Sequence, residues 1–140
     1  MKISARNVLS GTVTNIVKGA VNAEVALSLR GGETVVAIIT NASVDRLELK
    51  AGMDAFAIIK ASEVMVGKNL ESAKLSARNV LAGRVAALQE GAVNSEVGIR
   101  LAGGTTLIAS ITRESVKALD LKPDDVVSAV VKASHVMVGV

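Results

Sequence analysis

The sequence predicts an all-β chain of two tandem OB-fold-like Greek-key β-barrels, each with one short helix, and three observations lead there. One block of sequence recurs 72 residues later without a gap, its segments alternate apolar and polar residues, and its apolar half is almost free of aromatics, with Phe56 alone. The core must therefore be packed from Val, Leu, Ile and Ala. So much apolar side chain in 140 residues exceeds what one small globule hides, which points to an oligomer.

The repeat fixes the organisation. Ser4-Ala5-Arg6-Asn7-Val8-Leu9 returns as Ser76-Ala77-Arg78-Asn79-Val80-Leu81, and Gly19-Ala20-Val21-Asn22 as Gly91-Ala92-Val93-Asn94. Lys60-Ala61-Ser62 returns as Lys132-Ala133-Ser134. Two modules follow, at residues 1–68 and 74–140, joined by a polar stretch at 69–73.

Within the first module Val8 to Val17 reads as a strand that ends at the Lys18-Gly19 turn. Val21 to Leu29 carries apolar groups at every odd position, the pattern of a strand with one buried face. Gly31-Gly32 supplies the positive φ of a hairpin into the β-branched strand Thr34 to Thr40. The period then changes: Val44 and Leu47 lie three apart behind Thr40, Asn41 and Ser43, which can cap a short helix. After the Lys50-Ala51-Gly52 turn, Asp54 to Lys60 and Glu63 to Val66 read as two strands or one bent strand. Five strands with a helical turn between the third and fourth match the OB order.

Charge and composition exclude several classes. The net charge of +3 is mild and its basic residues are scattered, so no nucleic-acid stripe is present. One aromatic cannot supply the stacking platforms of a single-strand-binding OB barrel. Without cysteine there are no disulfides, thiolate metal sites or cysteine nucleophiles, and the single His135 lacks a partner for a metal cluster or triad. Nothing supports catalysis. No apolar run is long enough to cross a membrane and no signal-peptide pattern opens the sequence, so a cytoplasmic protein without membrane partners is expected. A purely structural assembly module is the other reading to separate from ligand binding. Met65 and Met137 are expected as core or interface filling.

Nine polar residues persist in both copies: Ser4, Arg6, Asn7, Asn22, Glu24, Thr40, Ser43, Lys60 and Ser62. Arg6 and Lys60 offer two positive charges, and the serines and threonine offer neutral donors. Together they match a tetrahedral dianion with four acceptor oxygens. A helix starting near Thr40 would add its N-terminal N–H groups. Asn22 and Glu24, on the polar face of a strand, suit a contact across subunits as well as they suit a ligand.

Ser-Ala-Arg-Asn at 4–7 and 76–79, Gly-Ala-Val-Asn-(Ala/Ser)-Glu-Val at 19–25 and 91–97, Ile-Thr at 39–40 and 111–112, and Lys-Ala-Ser-x-Val-Met-Val-Gly at 60–67 and 132–139 resemble the Mop, or molbindin, family in its two-module form. The resemblance covers the chain twice. It implies OB-type barrels, a homotrimer, no cofactor, and molybdate or tungstate bound between modules as an oxyanion, for molybdenum storage. By that likeness Ser4, Arg6, Lys60 and Ser62 face Thr40 and Ser43 of a neighbouring module, and the second copy supplies Ser76, Arg78, Lys132, Ser134, Thr112 and Ser115. Further sites on a three-fold axis would fall at Val21-Asn22 and Val93-Asn94. The copies depart from each other at Glu63 and His135, which puts a direct role for that position in doubt.

Overall fold

The computed structural model describes all 140 residues. In the first repeat the chain forms β1 (Asn7–Lys18), β2 (Asn22–Leu29), β3 (Thr34–Thr40), α1 (Asn41–Arg46), β4 (Asp54–Ile59), a 3-10 turn (Ala61–Glu63) and β5 (Met65–Gly67). The second follows with β6 (Asn79–Glu90), β7 (Asn94–Leu101), β8 (Thr106–Thr112), α2 (Arg113–Ala118), β9 (Val126–Val131), a 3-10 turn (Ala133–His135) and β10 (Met137–Gly139). Alternation set the strands correctly: along β2 the side chains of Ala23, Val25, Leu27 and Leu29 are buried. Thr40 caps α1 as expected, its hydroxyl accepting from the Ser43 N–H at 3.0 Å.

Two five-stranded antiparallel sheets result, in the orders β10-β4-β1-β2-β3 and β5-β9-β6-β7-β8. The last strand of each repeat has crossed over. Met65 to Gly67 pairs with β9 of the second repeat, and Met137 to Gly139 pairs with β4 of the first. Sequence patterning saw these short strands but not their destination, since alternation records which face is buried and not which neighbour supplies the hydrogen bonds. The 3-10 turns separate them from β4 and β9, so each pair is two strands and not one bent strand. Strand β10 also packs against β3, curling the first sheet towards closure as a barrel, and β5 does the same with β8.

Long β1 and β6 bend at a bulge after Val13 and Val85, so each can pair with one neighbour along its first half and another along its second. Gly11 and Gly83 sit at this bend, where a Cβ would lie 2.6 Å from the Ser28 carbonyl oxygen and 2.5 Å from that of Arg100. Only glycine fits there.

The larger core is shared between repeats: Leu29, Val35, Ile59 and Val64 pack in one cluster with Val97, Ile99, Leu107 and Val131. Two buried asparagines clasp the halves. Asn7 donates through Nδ2 to the Ile108 carbonyl at 2.9 Å and accepts from the Ile108 N–H at 2.8 Å. Asn79 makes the same pair with Val36, at 2.9 and 2.8 Å. Each amide thus satisfies both backbone groups of one residue on the outer strand of the opposite sheet, where no further strand pairs. At the junction Lys68 reaches Asp125 at 3.0 Å and donates to the Asp120 carbonyl at 2.8 Å. Its ammonium, aided by the Lys122 N–H, holds the Asp125 carboxyl below the ordinary carboxylate range.

The clasp makes a measurable demand. Asn79→Ala strands the N–H and C=O of Val36, and urea denaturation should show a loss of about 1–3 kcal/mol, the cost of unsatisfied buried polar groups. A change within a few tenths would mean that water replaces the amide without penalty.

Candidate oxyanion site

Ser4, Arg6, Lys60 and Ser62 line one cavity of about 280 Å³, together with Ala5, Ala61, Ile3 and Met137. Two structural facts gather them. The residues before β1 run beside the end of β4 because Asn7 pairs with Ile59, and Lys60 to Ser62 lead from β4 into the 3-10 turn. That turn bonds Glu63 N–H to Lys60 and Val64 N–H to Ala61, leaving the amides of Ala61 and Ser62 without a partner inside it. Met137 enters from the other repeat on the exchanged strand.

Ser62 also lines an adjoining cleft of about 540 Å³ with Ser110, Thr112 and Ser115. The cationic half of the first repeat therefore meets the hydroxyl half of the second, within one chain. The reciprocal arrangement packs the 3-10 turn Ala133–His135 against β3, the strand that ends at Thr40. Thr40 and Ser43 of the first repeat do not line the cavity that holds Ser4 and Arg6.

The hydroxyls already have internal work. Thr112 accepts from the Ser115 N–H at 3.1 Å and donates to the Ser115 hydroxyl at 2.8 Å, as Thr40 does to Ser43 at 2.9 Å. With the threonine hydrogen committed, the serine hydroxyl is the donor that each pair has left to offer. The expected help from helix N-termini is smaller than the sequence suggested. The Asn41 and Arg113 N–H groups are taken by the Val21 and Val93 carbonyls, and those of Ser43 and Ser115 by the caps. Only Ala42 and Glu114 keep a free amide in the first turn, and helices of six residues carry little macrodipole.

Two acidic residues belong to the geometry: Glu24, read from the sequence as suiting a contact across subunits or a ligand, and its copy Glu96. Arg6 Nη1 meets Glu96 Oε1 at 2.7 Å, and Arg78 Nη1 meets Glu24 Oε1 at 2.6 Å. Glu24 does make a contact between modules, but inside the chain. Persistence in both copies was the available signal; the partner was not legible. The Asn22 and Asn94 side chains are exposed at the starts of β2 and β7, beside Val21 and Val93, whose side chains are also exposed. Those four residues sit apart from the cavity. Met65 and Met137 are 49% and 44% exposed, so neither fills the core. His135, read as lacking a partner for a metal cluster or triad, makes a single contact: its Nδ1 lies 2.8 Å from Glu63, the equivalent position of the other repeat.

Two cations and two serines of the first repeat thus share a cavity that adjoins, at Ser62, hydroxyl side chains of the second repeat, and no cluster of His, Cys, Asp or Glu is suited to hold a metal ion directly. Residues 3–66 and 75–138 each match the TOBE domain. Over its whole length the chain superposes on the cytoplasmic molybdate-binding protein ModG, crystallised with molybdate bound, with a TM-score of 0.97 and 47% identity, covering 99% of that chain. It is 42% identical over 139 residues to the molybdenum-pterin-binding protein MopA of Rhodobacter capsulatus, and 41% identical over 140 residues to the molybdenum transport protein ModE of Azotobacter vinelandii. In both cases it covers 52% of the relative, so it spans about half the length of the curated relatives it matches. A probable molybdenum-pterin-binding protein of Haemophilus influenzae, 49% identical, corresponds over 97% of its length to 48% of this chain.

The Arg–Glu pairs are half-exposed, so their contribution to stability is small. A double-mutant cycle of Arg6→Ala and Glu96→Ala in thermal or urea unfolding should give a coupling of about 0.2–1 kcal/mol, the range of solvent-screened pairs. A coupling of several kcal/mol would mark the pair as a structural lock instead of an orienting contact.

Proposed function

The chain belongs to the TOBE-domain family, as two molbindin modules in succession, and from that premise we propose that it binds molybdate and tungstate for intracellular molybdenum storage, without catalysis. The observation that carries this reading is the cavity uniting Ser4, Arg6, Lys60 and Ser62, continued at Ser62 towards Thr112 and Ser115. Arg6 and Lys60 supply positive charge for an anion, part of it offset by Glu96 on one edge of Arg6, and the neutral donors suit four acceptor oxygens without adding charge.

One site is assigned to Ser4, Arg6, Lys60 and Ser62 with Thr112 and Ser115, and its twin to Ser76, Arg78, Lys132 and Ser134 with Thr40 and Ser43. The modules at residues 1–68 and 74–140 share both sites, with 69–73 between them. The assembly is assigned as a cytoplasmic homotrimer that needs neither nucleic acid nor a membrane. Exposed apolar side chains recur at equivalent positions, as at Val8 and Val80 or Val21 and Val93, which supports a repeated contact between chains. Further anions are assigned to the three-fold axis at Val21, Asn22, Val93 and Asn94. Glu96 and Glu24 act as positioning residues, each holding a guanidinium at the mouth of a site made with the opposite repeat.

Isothermal titration of the protein, sized by light scattering and expected as three chains per particle, should show saturable binding of molybdate and tungstate and none of the smaller sulfate. Arg6→Ala combined with Arg78→Ala should weaken molybdate roughly ten- to a hundredfold, since a charged hydrogen bond is worth about 1.5–3 kcal/mol. Lys60→Ala with Lys132→Ala should behave alike. Unchanged affinity in either double variant removes those residues from the site.

A further inference from the structure

The outer faces of the two sheets carry unlike charges. Pairing registers align one row of four residues across each sheet. In the second repeat the row is Val126, Arg84, Arg100 and Thr106, and in the first it is Asp54, Thr12, Ser28 and Thr34. Arg84 and Arg100 therefore stand directly opposite each other on neighbouring strands, on the same exposed face. Like charges placed opposite each other cost stability. No carboxylate relieves them, because none of the ion pairs of the chain includes either arginine. The one anchor is a bond from Arg84 Nη1 to the Asp124 carbonyl at 3.1 Å, which orients one guanidinium without neutralising it. Both arginines border a cleft of about 320 Å³ whose remaining lining includes Leu101, Ala102 and Val126.

We infer that this cleft is a second anion site, present only in the second repeat, for the phosphate group of an organic phosphomonoester. Charge decides between phosphate and carboxylate. Two guanidinium groups side by side require about two negative charges, which a monoester carries near pH 7, at roughly −1.5 to −2, and a single carboxylate does not. Paired planar forks suit three phosphate oxygens. The apolar lining beside the arginines accommodates the ligand's organic body, which inorganic phosphate lacks. The site is independent of the molybdate pocket, whose arginines are Arg6 and Arg78.

The probe is phenyl phosphate, titrated into ¹⁵N-labelled protein and read at the arginine Nε–H signals, with inorganic phosphate and benzoate for comparison. Arg84 and Arg100 should shift and saturate, with phenyl phosphate binding more tightly than either simpler anion. The Arg84→Thr, Arg100→Ser variant installs the residues that the first repeat already folds with at these positions. It should lose phenyl phosphate binding at least tenfold while titrating molybdate as the parent chain does. Conversely, Arg6→Ala with Arg78→Ala should leave phenyl phosphate binding intact. Absence of saturable shifts at millimolar probe, equal affinity for benzoate, or unchanged binding in the Arg84→Thr, Arg100→Ser variant overturns the site.

Discussion

The exchange of the last strand between repeats is the constraint on which the rest of the molecule depends. A two-residue hairpin could have returned β5 to its own sheet, but the 3-10 turn at Ala61–Glu63 carries it onto β9 of the other. That crossing brings Ser62 against Thr112 and Ser115, and its counterpart brings Met137 beside Ser4 and Arg6. The Asn7 and Asn79 clasps fix the same relation from the opposite side, tying the residue after each arginine to the outer strand of the facing sheet. Neither repeat holds a full complement of site residues by itself. The pairing of the halves that builds the shared core therefore also assembles the candidate site, and a ligand that joined both halves would stabilise their union by mass action.

The electrostatics of the cavity follow from that geometry. Arg6 and Lys60 face a space lined otherwise by neutral groups, and the nearest compensating carboxylate, Glu96, is bonded to one edge of the Arg6 guanidinium. A guanidinium has five N–H donors in a fixed plane, so a carboxylate on one edge leaves the other edge directed and available. A contact of this kind contributes little to folding because water screens it, yet it removes rotamer freedom that an incoming anion would otherwise have to remove itself. Weak in stability and useful in orientation are compatible properties.

Much of the fold was legible because it is written in local patterns. The odd-numbered apolar residues of β2, the glycine pair before β3 and the Thr40 cap all act within a few residues of themselves. The strand exchange was not legible, because Met65-Val66-Gly67 has the same alternation whichever sheet it joins. For the polar residues retained in both copies, persistence singled them out but did not say what each one touches. Asn7 is a buried clasp, Glu24 orients a distant arginine, and Thr40 serves as cap while Ser43 keeps the free hydrogen. Each role requires a partner more than 20 residues away or a hydrogen-bond direction, and neither quantity has a sequence period.

The two halves relate by an approximate two-fold axis, and this explains which duplicated positions stayed alike. Residues away from the axis meet a different position of the other repeat, so Arg6–Glu96 and Arg78–Glu24 can be identical copies of one complementary pair. Residues on the axis meet their own copy. Gly31 and Gly103 touch there, and a Cβ on Gly31 would lie 2.9 Å from the Gly103 Cα, so both copies must remain glycine for the hairpins to close on each other. Position 63 meets position 135, and a glutamate in both would place two carboxylates together. Glu63 with His135 replaces that repulsion by a hydrogen bond. A module that pairs with an identical chain cannot make this substitution, since both partners carry the same residue. Joining two modules in one chain removes that restriction, and the same freedom allows the outer rows to differ, with Arg84 and Arg100 in one repeat where the other has Thr12 and Ser28.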